Sequence, residues 1–236
     1  MSKVVLAYSG GMDSTVLLYK ALHHYDVVHT VTFNYGQRHQ KEIEIVKQQV
    51  QQYSSKKLTN TVLDLPFFQQ FKGSSLLDNN INVAKAKDAM GDPQTVNYVP
   101  FRNTIFLSIL AGYAESVGAS TVWYGAAQAD SVAGFYDGSV EYLEQINDIT
   151  RLNRRNVITI EAPLIDLSKK EIIKLGQTYG VDYANTWTCY EGKEAACGEC
   201  TACALRLKGF VDAGIPDPVN YSKDIPWDKL IKSAAK

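Results

Sequence analysis

Strand-like and helix-like runs alternate along this chain, and that alternation limits the fold more than any single residue does. K-V-V-L-A-Y over 3–8 reads as a first strand, followed by a helical pattern over 15–24. V-V-H-T-V-T-F (27–33), L-T-N-T-V-L-D-L (58–65), T-V-W-Y-G (121–125) and V-I-T-I-E-A (157–162) read as further strands. Helical patterns stand between them. Over 38–50, Ile43, Val46 and Val50 recur at three- and four-residue spacing. A strongly apolar helix is expected over 102–114, another over 139–149, and one over 168–179 that opens on the capping box Ser168-x-x-Glu171. This succession predicts an α/β fold, a doubly wound parallel five-stranded sheet with helices on both faces. Ligands of such sheets bind beyond the C-terminal ends of the strands, near a switch in strand order. The polar stretch 66–97, with Gly73, Gly91 and Pro93, is too long for a simple connection and is expected to carry a short helix or a flexible lid.

Length and charge bound the function. A chain of 236 residues, 45% apolar and 21% charged, fits one α/β domain over 1–185 with a small appendage over 186–236. The formal net charge of −1 argues against a large footprint on tRNA or DNA, so direct nucleic-acid binding is not expected. Arg151, Arg154 and Arg155 could contact phosphates, but they read better as a solvated helix end. The N-terminus runs directly into a strand without a signal-peptide core. No apolar stretch approaches the ~20 residues that span a bilayer, so a cytoplasmic protein without membrane contact is expected.

Ser9-Gly10-Gly11-Met12-Asp13-Ser14, flanked by Tyr8 and Thr15, follows the first strand and opens its helix. Glycines there permit positive φ and leave room for a phosphate, while N–H groups at a helix N-terminus point towards an anion. Asp13 is out of place beside phosphates unless a cation such as Mg²⁺ intervenes. The loop is neither G-x-x-x-x-G-K-[ST] nor G-x-G-x-x-G. S-G-G-x-D-S instead resembles the PP-loop of the ATP pyrophosphatases, which split ATP into AMP and pyrophosphate. The plainer alternative is a glycine turn in which Asp13 or Ser14 caps the helix.

Three more segments narrow the reading. Cys189, Cys197, Cys200 and Cys203 are all the cysteines of the chain, spaced C-x7-C-x2-C-x2-C. Four thiolates at about 2.3 Å suit a closed tetrahedral Zn²⁺ site, which would anchor a segment otherwise poor in core residues. An iron–sulfur cluster, two disulfides or a redox pair are the alternatives. In V-P-F-R-N (99–103), Arg102 could reach phosphates or a substrate carboxylate, or form an ordinary surface ion pair. In N-Y-G-Q-R-H (34–39), Gln37 and Arg38 could line the crevice, while His39 reads as a helix-start residue rather than a catalyst.

Together these segments resemble the 7-cyano-7-deazaguanine synthases of the queuosine precursor pathway. The likeness runs through S-G-G-M-D-S, F-N-Y-G-Q-R-H, V-P-F-R-N, A-P-L-I-D-L-S-K-K-E-I, W-T-C-Y-E-G…C-G-E-C-T-A-C-A-L-R and A-G-I-P-D-P. It implies a PP-loop, adenine nucleotide α-hydrolase-like domain and an ATP- and Mg²⁺-dependent ligase. That ligase would turn 7-carboxy-7-deazaguanine and ammonia into the 7-cyano base through adenylated carboxylate and amide. It also implies a four-cysteine zinc site in the C-terminal segment and a homodimer.

Carried onto this chain, Tyr8, Ser9, Gly10, Gly11, Met12, Asp13, Ser14 and Thr15 would hold ATP, and Asp13, Lys169 and Arg102 would serve catalysis. Arg38, Arg102, Asn103, Phe135 and Asp137 would hold the substrate, with Cys189, Cys197, Cys200 and Cys203 on zinc. Ser168 is read as the cap of Lys169's helix. The chain departs from the family's D-x-x-A-G-Y-P-D-C with D-S-V-A-G-F-Y-D-G over 130–138, keeping Asp137. An acid there could accept from the N–H edge of a guanine-like base and Phe135 or Tyr136 could stack on it, unless 131–140 is a surface loop. Rival readings are a PP-loop enzyme that modifies tRNA or another carboxylate, with the cysteines carrying sulfur, and a nucleotide sensor without catalysis.

Overall fold

Val4, Val5 and Leu6 are fully buried, so the first strand is covered on both faces, as a continuous apolar run in a parallel sheet should be. The computed structural model describes residues 1–53, 57–152 and 155–234. Along the chain stand β1 (Lys3–Ala7), α1 (Met12–His24), β2 (Val27–Asn34), α2 (Lys41–Gln52) and β3 (Leu58–Asp64). Next come α3 (Ala86–Ala89), α4 (Arg102–Val117), β4 (Thr121–Trp123), α5 (Gln128–Val132), α6 (Val140–Thr150) and β5 (Thr159–Glu161). The chain finishes with α7 (Lys169–Tyr179), α8 (Thr201–Ala213) and α9 (Trp227–Ala234). The five strands pair in the order β3-β2-β1-β4-β5, all parallel. Val4 stands opposite Val28 on one side and Thr121 on the other.

The order reverses between β1 and β4. From β1 the chain winds outward through β2 and β3, then returns to the other side of β1. The glycine loop leaves β1 at this switch point, where a doubly wound sheet opens its crevice. The period-two alternation divides the core. Val4 and Leu6 pack with Val16 of α1, Ile172 and Ile173 of α7 and Phe210 of α8. Val5 faces the other way, among Val31, Leu107 and Leu110 of α4, Ile146 of α6 and Ile160.

Several expectations shift at their edges. The first helix starts at Met12 rather than 15, so it takes in the tail of the glycine loop. The second starts at Lys41, after His39. The 102–114 helix continues to Val117, where Gly118 at φ 67° closes it and donates to the Ala114 and Glu115 carbonyls. The 66–97 stretch holds a 3-10 turn at Pro66–Gln70 and the short α3. Helices α5, α8 and α9 were not anticipated.

Helix α8 corrects the expectation of a cysteine segment poor in core residues. Phe210 is fully buried in the main core, and Trp187, Cys189, Ala196 and Ala202 are buried around the thiols. Arg151 is exposed and pairs with Asp148 at 2.6 Å, Arg155 is exposed, and Arg154 lies outside the described residues. Among the described residues, no helix is long and apolar enough to cross a membrane.

Close packing of α7 sets a testable limit. A Cβ at Gly176 would collide with the Tyr183 hydroxyl and stand 2.8 Å from Val16 Cγ2. That hydroxyl donates to the Ile173 carbonyl at 2.8 Å. Overpacking costs about 1–3 kcal/mol, more than the about 1 kcal/mol that alanine gains over glycine in a helix. Gly176→Ala is therefore expected to lower the urea midpoint at unchanged slope, as followed by circular dichroism.

Candidate active site

A cavity of about 320 Å³ opens beyond the C-terminal ends of β1, β2 and β4. Its floor is the glycine loop. Gly10 holds φ +73°, and a Cβ there would meet Val46 Cγ2 at 3.1 Å and the Glu42 carbonyl at 3.2 Å. Its own carbonyl accepts the Trp187 N–H at 3.1 Å. Ser14 Oγ lies 3.2 Å from Ser9 Oγ and donates to the Gly11 carbonyl at 3.2 Å, which tightens the turn. Gly11 is the N-cap of α1, and no side chain caps that helix. The reading in which Asp13 or Ser14 caps it is therefore set aside, and the first-turn N–H groups have no side-chain acceptor, an arrangement that suits an anion.

Tyr8, Ser9, Gly11, Met12, Asp13 and Ser14 line the cavity. Gly10 and Thr15 do not; Gly10 packs under α2, and Thr15 is buried with its hydroxyl unpartnered.

Lys169 reaches the loop from the first turn of α7. Ser168 caps that turn, accepting from the Glu171 N–H, and its own N–H donates to the Glu171 carboxylate at 2.8 Å. Lys169 Nζ donates to Asp13 Oδ2 at 2.9 Å and lies 3.7 Å from Asp130 Oδ1. Burial alone would lower the lysine, but the two carboxylates outweigh it and hold the ammonium above its ordinary range. Asp130 accepts from the Ala127 N–H at 2.9 Å; burial raises its carboxyl, with Lys169 opposing and Asp13 adding to the rise. Two carboxylates against one ammonium leave a negative excess, and Asp13 Oδ1 is buried without a partner. Such an oxygen-rich, unanswered site fits a hard divalent cation.

The opposite wall comes from α4. Phe101 precedes it at φ 51°, a left-handed conformation rare outside glycine, and the next residue, Arg102, donates to Tyr35 Oη at 3.2 Å. Burial opposes the Arg102 charge, while Asp137 and the bond to the Tyr35 oxygen favour it; Arg102 lines the cavity and is not a surface ion pair. Asp137 is pushed up by burial and held back by Arg102 and a hydrogen bond from Asn103. Phe135, Asp137 and Asn103 all line the cavity, whereas Tyr136 is 65% exposed and turned away.

Arg38 is a correction. Its guanidinium donates to Asn79 Oδ1 at 3.0 Å and to the Asp78 and Ile81 carbonyls at 3.3 and 3.0 Å, so it braces the 78–81 turn and does not line the cavity. His39 instead does line it, 4% exposed, before the helix begins. Sequence reasoning also missed Glu42, Asp130, Tyr190 and Arg206. Asp130 opens the D-x-x-A-G stretch, and Glu42 follows His39 by three residues, which were the available signals. Arg206 is buried against Asp217 at 2.6 and 2.9 Å and donates to Thr186, Thr188 and the Tyr183 carbonyl. Fully answered, it ties the residues before the cysteines to those after α8.

The four cysteine sulfurs lie within 4.8 Å of one another, and none is in a disulfide. Cys197 and Cys203 sulfurs stand 3.9 Å apart. Sulfurs about 2.3 Å from a central tetrahedral ion would be about 3.8 Å apart. Backbone N–H groups of Cys197, Glu199, Cys200 and Cys203 point at the sulfurs, which favours thiolates. The cluster can hold a metal ion.

Sheet order, glycine loop and lysine place the chain in the PP-loop class of α/β nucleotide-binding folds. Two solved structures share the fold over 99% of this chain at TM-score 0.50. They are the U34-tRNA thiolase NcsA of Methanococcus maripaludis with its [4Fe-4S] cluster, at 15% identity over 70% of its chain, and a 4-thiouridine synthetase in complex with RNA and ATP, at 19% over 50% of its chain. The family model for the queuosine biosynthesis protein QueC matches residues 3–214. The 7-cyano-7-deazaguanine synthases of Rickettsia felis and Oceanobacillus iheyensis are 42% and 40% identical, across 94% and 93% of this chain and 100% and 98% of theirs. The chain belongs to the QueC family.

The purified chain is expected to carry one metal ion per molecule by elemental analysis. Cys200→Ala should lose it and melt at a lower temperature, because metal binding adds directly to folding free energy.

Proposed function

We propose that this chain makes 7-cyano-7-deazaguanine, the product its curated relatives are named for, from 7-carboxy-7-deazaguanine, ammonia and ATP. One observation carries the reading: the uncapped N-terminus of α1 opens into the same cavity as the wall of Arg102, Asn103, Phe135 and Asp137. A phosphate chain and a flat polar base can thus meet at bonding distance.

Oxygen is a poor leaving group from a carboxylate, and ATP answers that. The substrate carboxylate attacks the α-phosphorus; an O–P bond forms and pyrophosphate departs. Ser9, Gly11, Ser14 and the first-turn N–H groups of α1 hold the phosphates, and Lys169 answers the charge that develops between them. Asp13 and Asp130 would hold Mg²⁺, which offsets phosphate charge when bound. Ammonia then attacks the acyl carbon, forming C–N as the bond to AMP breaks. The amide oxygen is activated by a second ATP in the same way, and loss of AMP and the last N–H proton leaves the nitrile. Asp137 accepts from the base's N–H edge, Phe135 stacks on its face and Arg102 faces its carboxylate. No nucleophilic side chain is required, since the activation lies on the substrate.

The four cysteines would hold Zn²⁺ as a structural ion: four sulfurs leave it no open position, and their spacing suits a single ion. A homodimer in the cytoplasm, acting on small molecules rather than nucleic acid, completes the reading.

The test is purified chain with the carboxylate, ammonium and Mg-ATP. Mass spectrometry should find the cyano base, with AMP and pyrophosphate formed in equal amounts. Neither nitrile nor amide would overturn the proposal. Asp13→Ala, folded by circular dichroism, is expected to slow pyrophosphate release by about 100-fold or more.

A further inference from the structure

Four carboxyl groups line the cavity, those of Asp13, Glu42, Asp130 and Asp137. Asp13 and Asp130 share the Lys169 ammonium, and Asp137 has Asn103 and the field of Arg102. Glu42 has a different neighbour. It enters from the first turn of α2, whose backbone packs on Gly10, so it stands beside the loop that faces the reacting phosphate. Its carboxyl lies 3.6 Å from Nε2 of His39, with the two side chains 14% and 6% exposed.

That histidine is no cation. Burial, with Arg102 adding, pushes the imidazole down to about 3, so it is uncharged at neutral pH. Its Nδ1 is buried without a partner. The rings packed on it belong to Tyr35, at 6.5 Å between centroids, and Tyr190, at 6.0 Å; burial raises the Tyr35 phenol. From α4, Arg102 is the charged group that faces the pair. Burial raises Glu42 to about 8, with Arg102 holding it back. Glu42 therefore ionises near neutrality beside a partner that cannot neutralise it. Such a site suits a small cation that can surrender a proton.

We propose that Glu42, backed by the uncharged His39, binds ammonium and deprotonates it for attack on the activated carbonyl carbon. The proposal rests on the nitrile-forming reading above. Ammonium gives one proton to the Glu42 carboxylate. The freed lone pair forms the C–N bond while the bond from carbon to AMP breaks, and AMP leaves with its electron pair. The adduct's surplus N–H proton passes to solvent, and Glu42 later returns its own there.

Full-length Glu42→Gln tests this against the native chain in three assays. Carboxylate-dependent exchange of pyrophosphate into ATP, run without ammonia, reads the first activation alone. Amide formation against ammonium concentration and pH reads the proposed step. Hydroxylamine, already uncharged at neutral pH, reads attack that needs no prior deprotonation. In Glu42→Gln the exchange should persist and hydroxamate should form at near-native rate. Amide formation from ammonium should fall about 100-fold. Counted per total ammonium, the native rise should set in as pH passes through about 8, whereas in Glu42→Gln it should follow only the formation of free ammonia at higher pH. Unchanged use of ammonium overturns the proposal, as does an equal loss of exchange and of both nucleophiles. If the native chain itself shows no exchange with the carboxylate, it is the proposed reaction that falls.

Discussion

The buried ammonium of Lys169 is the interaction on which the site depends. It sits at the N-terminal end of α7, where a helix dipole disfavours positive charge, and it is 9% exposed. Two carboxylates make that position tenable, Asp13 from α1 and Asp130 from α5. One side chain thus fixes the relative placement of three helix starts around a single point. The backbone beneath it is held from behind: a Cβ at Gly209 of α8 would stand 2.7 Å from Lys169 Cβ and 3.0 Å from Ile173 Cδ1. Helix α8 can approach α7 this closely because residue 209 has no side chain.

The sheet was legible because strands buried on both faces write themselves as unbroken apolar runs, of which Val4-Val5-Leu6 is the clearest. The glycine loop and the cysteines were legible because their chemistry is local: a few adjacent residues make a turn or a ligand set. Helix α8 was not, since its apolar face starts inside the cysteine motif and passes through Gly209, which reads as a breaker in isolation. Arg38 shows a second limit. Its place after β2 suggests the crevice, but its acceptors lie in the 66–97 stretch, whose path no periodicity reveals. Glu42 and Asp130 show a third. Each is an ordinary surface-type acid in the sequence, and only tertiary placement puts one against a neutral imidazole and the other against a buried lysine.

The cavity is electrostatically graded. Near the glycine loop, carboxylates outnumber ammonium groups, which suits cations that accompany phosphate. Near α4, Arg102 is the dominant charge, with Asp137 and Asn103 beside it on the cavity wall. The same arginine also presses on His39, helping to keep it neutral. One enclosure therefore holds a carboxylate-rich half at the glycine loop and a guanidinium-dominated half at α4.

The carbonyl of Gly10 accepts from Trp187, and the indole N–H of Trp187 donates to the carbonyl of Cys189 at 3.0 Å. Two hydrogen bonds thus join the turn after the first strand to the first residue of the cysteine cluster, almost two hundred residues away in sequence. During synthesis, the loop leaves the ribosome long before its brace does. The turn is thus braced from behind only after residue 187 has been made, although the strand that feeds it is among the first to emerge.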